Sequence, residues 1–528
     1  MKYTVTGAQM KQIDRDTIER IGIPSMVLME RAALAVADEV TRRVKAPAPV
    51  LAVCGGGNNG ADGIAAGRIL QSRGYEVTLC MVGNLDHATE ENLLQQRIAR
   101  ELGMCFTEAG ELRTSIAAGD ASVRGTDGYR IIIDAIFGIG LRREVGGSYR
   151  ELIAALRALA ADTAAEVIAV DVPSGINADT GQVMGMALPA TVTVTFGWEK
   201  TGLLLYPGRS FAGIVRTADI GFFSQSLERI GYDCRMLTDD DLSGIAKRRA
   251  DGNKGTFGKL LIVAGSAGMS GAAYLSALAA YRCGVGLVRL LTVPENRVVL
   301  QTQLPEAIVS VYEPERIGQE TDFIEEQCRL ADAIVLGPGL GQEPYVETLV
   351  ETVLAHAYVP IVLDADALNI ISASSHLTRY FTENIVVTPH IGEMARLTGL
   401  TVEEIKADAL YTARDFAANN GVVCILKDAA TVIADKNGET YVNTSGCSAM
   451  AKGGSGDVLS GVIGALLARE NAGGAGTDIL QLAACGVYLH GRAGERAAAV
   501  SGVHGVLAHE IADHLSDEGT DGHGRNER

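Results

Sequence analysis

The feature that most constrains this chain is a repeated pattern. A short apolar run ends in a loop of glycine, asparagine or aspartate, and helical spacing follows. Val50-Leu51-Ala52-Val53-Cys54 leads into Gly55-Gly56-Gly57-Asn58-Asn59-Gly60-Ala61-Asp62-Gly63. Apolar runs at 76–81, 130–134 and 167–171 repeat the motif, with helical stretches between them. This alternation demands a mostly parallel sheet covered on both faces. A helix is expected over 6–45, another from about Asp62, and a β-rich stretch over 190–196. The pattern weakens in a polar segment from about Gly221 to Arg249 that carries Thr238-Asp239-Asp240-Asp241. It then restarts with runs at 259–264, 287–292, 333–336, 361–364, 385–388 and 422–426. A hairpin is expected where 431–434 and 440–442 flank Asp435-Lys436-Asn437-Gly438. The reading is α/β with two domains, 1–225 and 235–515, and a disordered polar tail over 516–528.

Composition narrows the function. The chain has 62 glycines and only 5% aromatic residues, which suits α/β folds whose strand-to-helix turns bind phosphates. A net charge of −18 argues against a nucleic-acid-binding surface. The nine cysteines are dispersed with no C-x-x-C pair, so neither a zinc site nor a redox dithiol is signalled. They fit reduced core thiols in a cytoplasmic protein. The first residues lack the apolar core of a signal peptide, and no uninterrupted apolar run reaches membrane-spanning length. A closed homo-oligomer is the default expectation for such a protein.

Two sets of strand ends carry chemistry. In the first, Asn59, Asp134 and Ser174 each sit at or just beyond a strand and together offer oxygen ligands with one carboxylate. Such a set suits an alkali or alkaline-earth cation better than zinc. Taken singly, Asp134 equally fits a helix cap, and the Asn58-Asn59 loop a left-handed turn. In the second, Gly453-Gly454-Ser455-Gly456-Asp457 bares backbone N–H groups before an apolar helix start. Donors at a helix N-terminus form an anion hole, and an acid beside it can take a proton from a hydroxyl. A glycine turn with Asp457 as a helix-start acid is the plainer alternative. Lys427, at a strand end, offers a point charge for phosphate or is a solvated loop lysine. Asp366 and Glu393 fit a magnesium network or ordinary capping.

The first set resembles the NAD(P)H-hydrate epimerase domain. The resemblance rests on Asn58 to Gly63, on Asp134 with Gly138-Ile139-Gly140-Leu141, and on Asp171-Val172-Pro173-Ser174-Gly175. It implies a Rossmann-like α/β/α sandwich. Asn58, Asn59, Gly60, Ala61, Asp62, Gly138, Ile139, Gly140 and Leu141 would hold the hydrated nucleotide, and Asp171 would act at the reacting ring. Asn59, Asp134 and Ser174 match potassium ligands. The family often has glycine at the place of Ala61 and threonine at that of Ile139.

The second set is similar to the ADP/ATP-dependent NAD(P)H-hydrate dehydratase, a ribokinase-like fold. Six motifs carry the likeness, among them Gly337-Pro338-Gly339, Thr388-Pro389-His390, Lys427-Asp428-Ala429-Ala430-Thr431 and the Gly-Asp loop. It implies that Ala272, Gly339, His390 and Asp457 meet the hydrate, and that Lys427 to Thr431 with Gly456 line the nucleotide. Together the resemblances imply repair of NADHX or NADPHX, the hydrates of the reduced nicotinamide ring. One unit would interconvert the R and S forms with K+. The other would dehydrate the S form with Mg2+ and ADP, or with ATP. Two readings compete with this: a small-molecule kinase for a vitamin precursor with an inactive epimerase-like domain, and a binding scaffold.

Overall fold

The computed structural model describes residues 1–120, 128–244, 250–473 and 478–517. The chain divides into two compact units: Tyr3–Cys234, and Arg235–Arg528 together with Met1–Lys2.

In the first unit the strands are β1 (Lys2–Val5), β2 (Pro49–Cys54), β3 (Glu76–Met81), β4 (Cys105–Glu108), β5 (Ile131–Ala135), β6 (Glu166–Val170), β7 (Val192–Phe196), β8 (Glu199–Lys200) and β9 (Ile214–Ala218). Seven of them form a parallel sheet in the order β4-β3-β2-β5-β6-β7-β9, while β1 and β8 pair with each other. Both faces of β2 are buried. Val50, Ala52 and Cys54 join one core cluster, and Leu51 and Val53 the other, as the two-residue strand period requires. From β2 the chain runs outward to β3 and β4, then returns to β5 on the other side. The reversal opens a crevice at the carboxyl ends of β2 and β5, the place where open α/β sheets receive ligands.

Two helical expectations are corrected. The helix expected over 6–45 is two helices, Gly7–Arg15 and Ser25–Arg43, parted by a π-helical turn. Gly22 at φ 90° and Pro24 just before the second helix end the first run. The helix expected from about Asp62 begins at Asn58, because Gly57 supplies the extended N-cap. Both asparagines therefore stand in its first turn. Strands β1, β4 and β8 are too short or too polar to stand out in the sequence.

The second unit contains β10 (Cys234–Met236), β11 (Lys259–Val263), β12 (Leu287–Thr292), β13 (Ile308–Val311), β14 (Ala333–Leu336), β15 (Ile361–Leu363), β16 (Ile385–Val387), β17 (Val423–Leu426), β18 (Thr431–Ala434) and β19 (Thr440–Asn443). Their order is β13-β12-β11-β14-β15-β16-β17-β18-β19-β10. Pairing is parallel from β13 to β17 and antiparallel through the expected hairpin β18–β19. The ends of β11, β14, β15, β16 and β17 thus line one edge in sequence, with the reversal between β11 and β14.

The disordered tail expected over 516–528 falls outside the described residues from residue 518, while Ser516 and Asp517 close a short helical turn, His514–Asp517. None of the nine cysteines forms a disulfide. Among the described residues no helix is long and apolar enough to cross a membrane.

The helices Ser270–Arg282 and Ser455–Ala472 cross at backbone contact. A Cβ on Gly461 would stand 2.1 Å from the Ser276 carbonyl oxygen. Ser276 also ties the crossing together, donating to the Asp457 carbonyl at 2.8 Å. Gly461→Ala is therefore expected to lower stability by about 1–3 kcal/mol through overpacking. Gly271→Ala meets nothing within 4 Å and is expected to be neutral or mildly stabilising. Urea midpoints of the two variants at unchanged m-value check this pair of outcomes.

Two candidate active sites

In the first unit the crevice is a cavity of about 640 Å³. Its walls come from the loop after β2, the loop after β5, the turn after β6 and the end of β7. Asn58, Asn59, Asp62, Gly138, Ile139, Gly140, Leu141 and Asp171 all line it. Gly60 and Ala61 do not, because they face inward under the loop. A Cβ on Gly60 would meet the Gly55 oxygen at 1.8 Å, so only glycine fits where the helix start folds onto its own loop. Ala61 is fully buried. The helix Asn58–Ser72 has no side-chain cap, so its first N–H groups remain available to an anion. Asn92 holds the loop from behind, donating to the carbonyls of Gly55 and Gly57 at 2.9 Å each.

Asp134 and Ser174 meet directly. The Ser174 hydroxyl donates to Asp134 Oδ1 at 2.5 Å and its backbone N–H to Oδ2 at 2.8 Å. Burial pushes the Asp134 carboxyl up to about 6 against the pull of these bonds. Ser174 Oγ in turn accepts from the Phe137 N–H at 2.9 Å. Asn59 stands against the next residue, with its Oδ1 3.0 Å from where a Gly138 Cβ would lie. The Asn59 Nδ2 is buried without a partner. Turned over, the same amide presents an oxygen instead, and the set becomes amide, carboxylate and hydroxyl around one loop. That donor set, with its orphaned amide, fits a monovalent cation.

Asp171 is held more tightly than the sequence suggested. Its φ is 68°, a left-handed backbone that aspartate tolerates better than most residues. Oδ1 accepts from Lys200 Nζ at 2.5 Å, from Thr195 Oγ1 at 3.0 Å and from the Phe196 N–H at 3.2 Å. Lys200 is fully buried, and its other contacts are Thr195 Oγ1 and the Phe196 carbonyl, both at 3.0 Å. Oδ2 makes no hydrogen bond among the described residues. Sequence reasoning missed Lys200, Asp14, Lys11, Arg142 and Arg143, which also line the cavity. A lone lysine after a β-rich run gives no spacing signal. Burial raises Asp62 well above the usual carboxylate range and raises Asp14 too, with the charge of Asp171 adding to both. Ile139 packs against the apolar cluster of Val5, Met10 and Ile13, so its side chain serves packing.

The second site lies at the edge formed by β11, β14, β15, β16 and β17. Its centre is an ion pair. Lys427 Nζ donates to Asp364 Oδ1 at 2.8 Å, and Thr388 Oγ1 donates to the same oxygen at 2.7 Å. The Lys427 side chain is only 20% exposed. Lys427 is thus tied to Asp364 rather than extended into solvent. A Cβ on Gly456 would lie 3.6 Å from Lys427 Nζ, so the glycine loop abuts this pair. Gly454, at φ 92°, caps the helix Ser455–Ala472 without a side chain. Asp457 stands in its first turn. Burial, with Asp364 and Asp366 adding and Lys427 opposing, pushes its carboxyl up to about 7.

The other expected residues surround this centre. Ala272 and Gly339 touch, since a Cβ on Gly339 would be 2.8 Å from that of Ala272. His390 caps the helix Ile391–Thr398, its Nδ1 accepting from the Gly392 N–H at 2.9 Å. That bond leaves Nε2 to carry the proton on a half-exposed ring. Burial, Lys427 and Arg396 lower its pKa and keep it neutral. Asp428 and Ala429 are exposed in the turn between β17 and β18, Ala430 is buried, and Thr431 donates back to the Asp428 carbonyl at 3.3 Å. Asp366 Oδ2 accepts from the Gly341 N–H at 2.8 Å, and Glu393 Oε2 from the His390 N–H at 2.8 Å. These bonds leave lone pairs for water-mediated magnesium contact, which needs few protein carboxylates where phosphates are present. Among the described residues no group of three or more His, Cys, Asp or Glu is placed to hold a metal ion. Behind the glycine loop, His490 Nε2 and Ser455 Oγ are buried without partners, a pair the sequence did not reveal.

Residues 260–517 match the family NAD(P)H-hydrate dehydratase, and residues 25–202 match the family YjeF-related protein N-terminus. The chain is 36% identical to the bifunctional NAD(P)H-hydrate repair enzyme Nnr of Moorella thermoacetica, over 97% of this chain and 96% of that one. It is 34% identical to the enzyme of the same name from Thermofilum pendens, over 96% and 94% respectively. Among solved structures, the ADP/ATP-dependent NAD(P)H-hydrate dehydratase of Bacillus subtilis, co-crystallised with ATP/Mg2+, is 32% identical over 55% of this chain and 98% of its own, with a TM-score of 0.46.

The buried Lys200–Asp171 pair sets a stability expectation. Lys200→Met leaves the carboxylate buried without its cation and is expected to cost about 3–5 kcal/mol. Adding Asp171→Asn to that variant, an amide that still accepts the left-handed backbone, is expected to recover most of the loss, since no charge then remains to be desolvated. Urea denaturation of the two single variants and the double variant reads the coupling.

Proposed function

Because this chain belongs to the family of bifunctional NAD(P)H-hydrate repair enzymes, we propose that it returns both epimers of NADHX and NADPHX to NADH and NADPH. The N-terminal unit interconverts the R and S forms. Asp171 serves as acid/base at C6 of the ring, while the uncapped turn at Asn58 and the loop 138–141 hold the nucleotide. Lys11, Arg142 and Arg143 line the same cavity and suit its phosphates. Asn59, Asp134 and Ser174 would hold a potassium ion, which when bound supplies fixed positive charge beside an anionic substrate.

In the C-terminal unit the terminal phosphoryl group of ADP, or of ATP, passes to the C6 hydroxyl of the S form. Asp457 takes the hydroxyl proton, and the amides of Gly454 to Gly456 hold the phosphoryl oxygens. Phosphate then leaves C6 with its bonding electrons, a proton leaves C5 to solvent, and the C5–C6 double bond is restored. Lys427 and the 428–431 turn line the nucleotide, and Ala272, Gly339 and His390 line the hydrate. Asp366 and Glu393 would hold Mg2+ through water, and the ion when bound neutralises phosphate charge. ADP is the proposed donor. A cytoplasmic homo-oligomer completes the reading, in keeping with nine cysteines that form no disulfide.

The observation that carries this reading is Asp457. A carboxyl pushed up to about 7, standing at the head of an uncapped helix beside a buried lysine, is a base poised for a hydroxyl proton. The vitamin-precursor kinase with an inactive epimerase-like domain is not favoured, because the likeness to repair enzymes runs through both units.

The purified protein, with an R/S mixture of NADHX, Mg2+, K+ and ADP, is expected to restore the full NADH absorbance. Recovery that stops at the S fraction, once spontaneous epimerisation is subtracted, would remove the N-terminal assignment. A stable phosphorylated product would remove the C-terminal one. As a base, Asp457 works only when ionised, so the dehydration rate should rise with pH through about 7 and then level off. Asp457→Asn is expected to lower kcat by about 100-fold or more and to abolish that rise, as stopped assays on S-NADHX will show.

A further inference from the structure

The N-terminal cavity holds more carboxyl groups than one acid/base residue requires. Asp14, Asp62, Glu91 and Asp171 all line it, and the fully buried Lys200 joins them. Their partners differ sharply. Asp171 Oδ1 receives Lys200, Thr195 and the Phe196 N–H. Glu91 receives the Ser25 hydroxyl at 3.1 Å. Asp62 enters no ion pair or hydrogen bond among the described residues. Lys11, Arg142 and Arg143 also line the cavity, and Asp134, on neighbouring β5, is occupied by Ser174.

Position adds to the contrast. Asp62 rises from the helix that follows β2, and Asp171 from the turn that follows β6. Strand β5 lies between β2 and β6 in the sheet, so the two residues come from elements on either side of β5 and line the same cavity. Inverting a carbon centre by losing and regaining a hydroxyl needs a proton donor for the departing oxygen and an acceptor for the arriving one. Where like charges share a site, the carboxyl that lacks a paired cation is the one that more readily keeps its proton.

Resting on the epimerase reading above, we infer that Asp62 is the second proton carrier of this site, paired with Asp171 across the substrate ring. In one direction Asp62 gives its proton to the C6 hydroxyl. The C6–O bond breaks and the lone pair of N1 forms the C=N bond of an iminium ion. Water then adds to the opposite face, and its proton goes to Asp171 Oδ2, the oxygen left bare by the Lys200 network. Asp62 ends as carboxylate and Asp171 as acid. The reverse epimerisation starts from that state, and exchange with water resets it. Burial and the nearby charges of Asp171 and Asp14 raise Asp62 well above the usual carboxylate range, in keeping with a proton retained near neutrality.

The test is epimerisation of R-NADHX by the full chain, read by chiral separation without nucleotide so that dehydration is silent. Wild type is expected to lose kcat/KM at high pH as Asp62 ionises. Asp62→Asn is expected to lower kcat by about 100-fold or more, to leave KM within about threefold, and to lose the high-pH limb. A wild-type profile flat from about pH 6 to 9 would overturn the proposal without any variant, as would an Asp62→Asn enzyme with unchanged kcat. A rise in KM alone would make Asp62 a substrate-binding group and overturn it too. A wild-type enzyme that does not epimerise at all would instead remove the epimerase reading.

Discussion

The cost of taking a carboxylate out of water shapes both halves of this protein. Each unit ends a central strand in an aspartate that burial penalises, and each answers with one lysine. In the first, Lys200 meets Asp171; in the second, Lys427 meets Asp364. Neither pair is a surface bridge of small effect. Each sits where parallel strands end and crossover helices begin, with few other ways to compensate charge. The pairs differ in what they leave over. Asp171 keeps one oxygen bare, and the Lys427–Asp364 pair leaves the neighbouring Asp457 without a cation of its own. One site therefore offers a carboxyl oxygen in a fixed pose, and the other a group balanced between its two protonation states.

Backbone geometry does the remaining placement. Parallel sheets send every strand end to one edge, so Asn59, Asp134, Asp171 and Ser174 gather although more than a hundred residues separate the first from the last. The same rule gathers the ends of five strands in the second unit. Uncapped helix starts at Asn58 and Ser455 then present N–H groups to whatever anion enters.

Much of this was legible because it depends on local pattern. Apolar runs located most of the parallel strands, and glycine-acid loops located the strand ends. Asn59, Asp134 and Ser174 could be grouped because each follows such a run. Features that depend on tertiary partners were not legible. Lys200 has no spacing relation to Asp171, and only the pairing of β8 with β1 brings it inward. The break at Gly22 and Pro24 was visible as residues but was outvoted by apolar spacing over 6–45. The helix start at Asn58 was read four residues late, since asparagine and glycine are poor helix formers yet suit a first turn. The ion pair of Lys427 with Asp364, 63 residues away, likewise left no spacing signal.

The left-handed backbone at residue 171 separates two kinds of selection that usually act together. The fold asks this position for a residue that accepts positive φ, which glycine, asparagine and aspartate do most readily. The chemistry asks for a carboxylate. A copy of this unit relieved of its reaction would thus drift toward glycine or asparagine here, rather than toward alanine or glutamate. Among descendants of such a chain, the residue at this one place would record loss of activity while the surrounding architecture stayed unchanged.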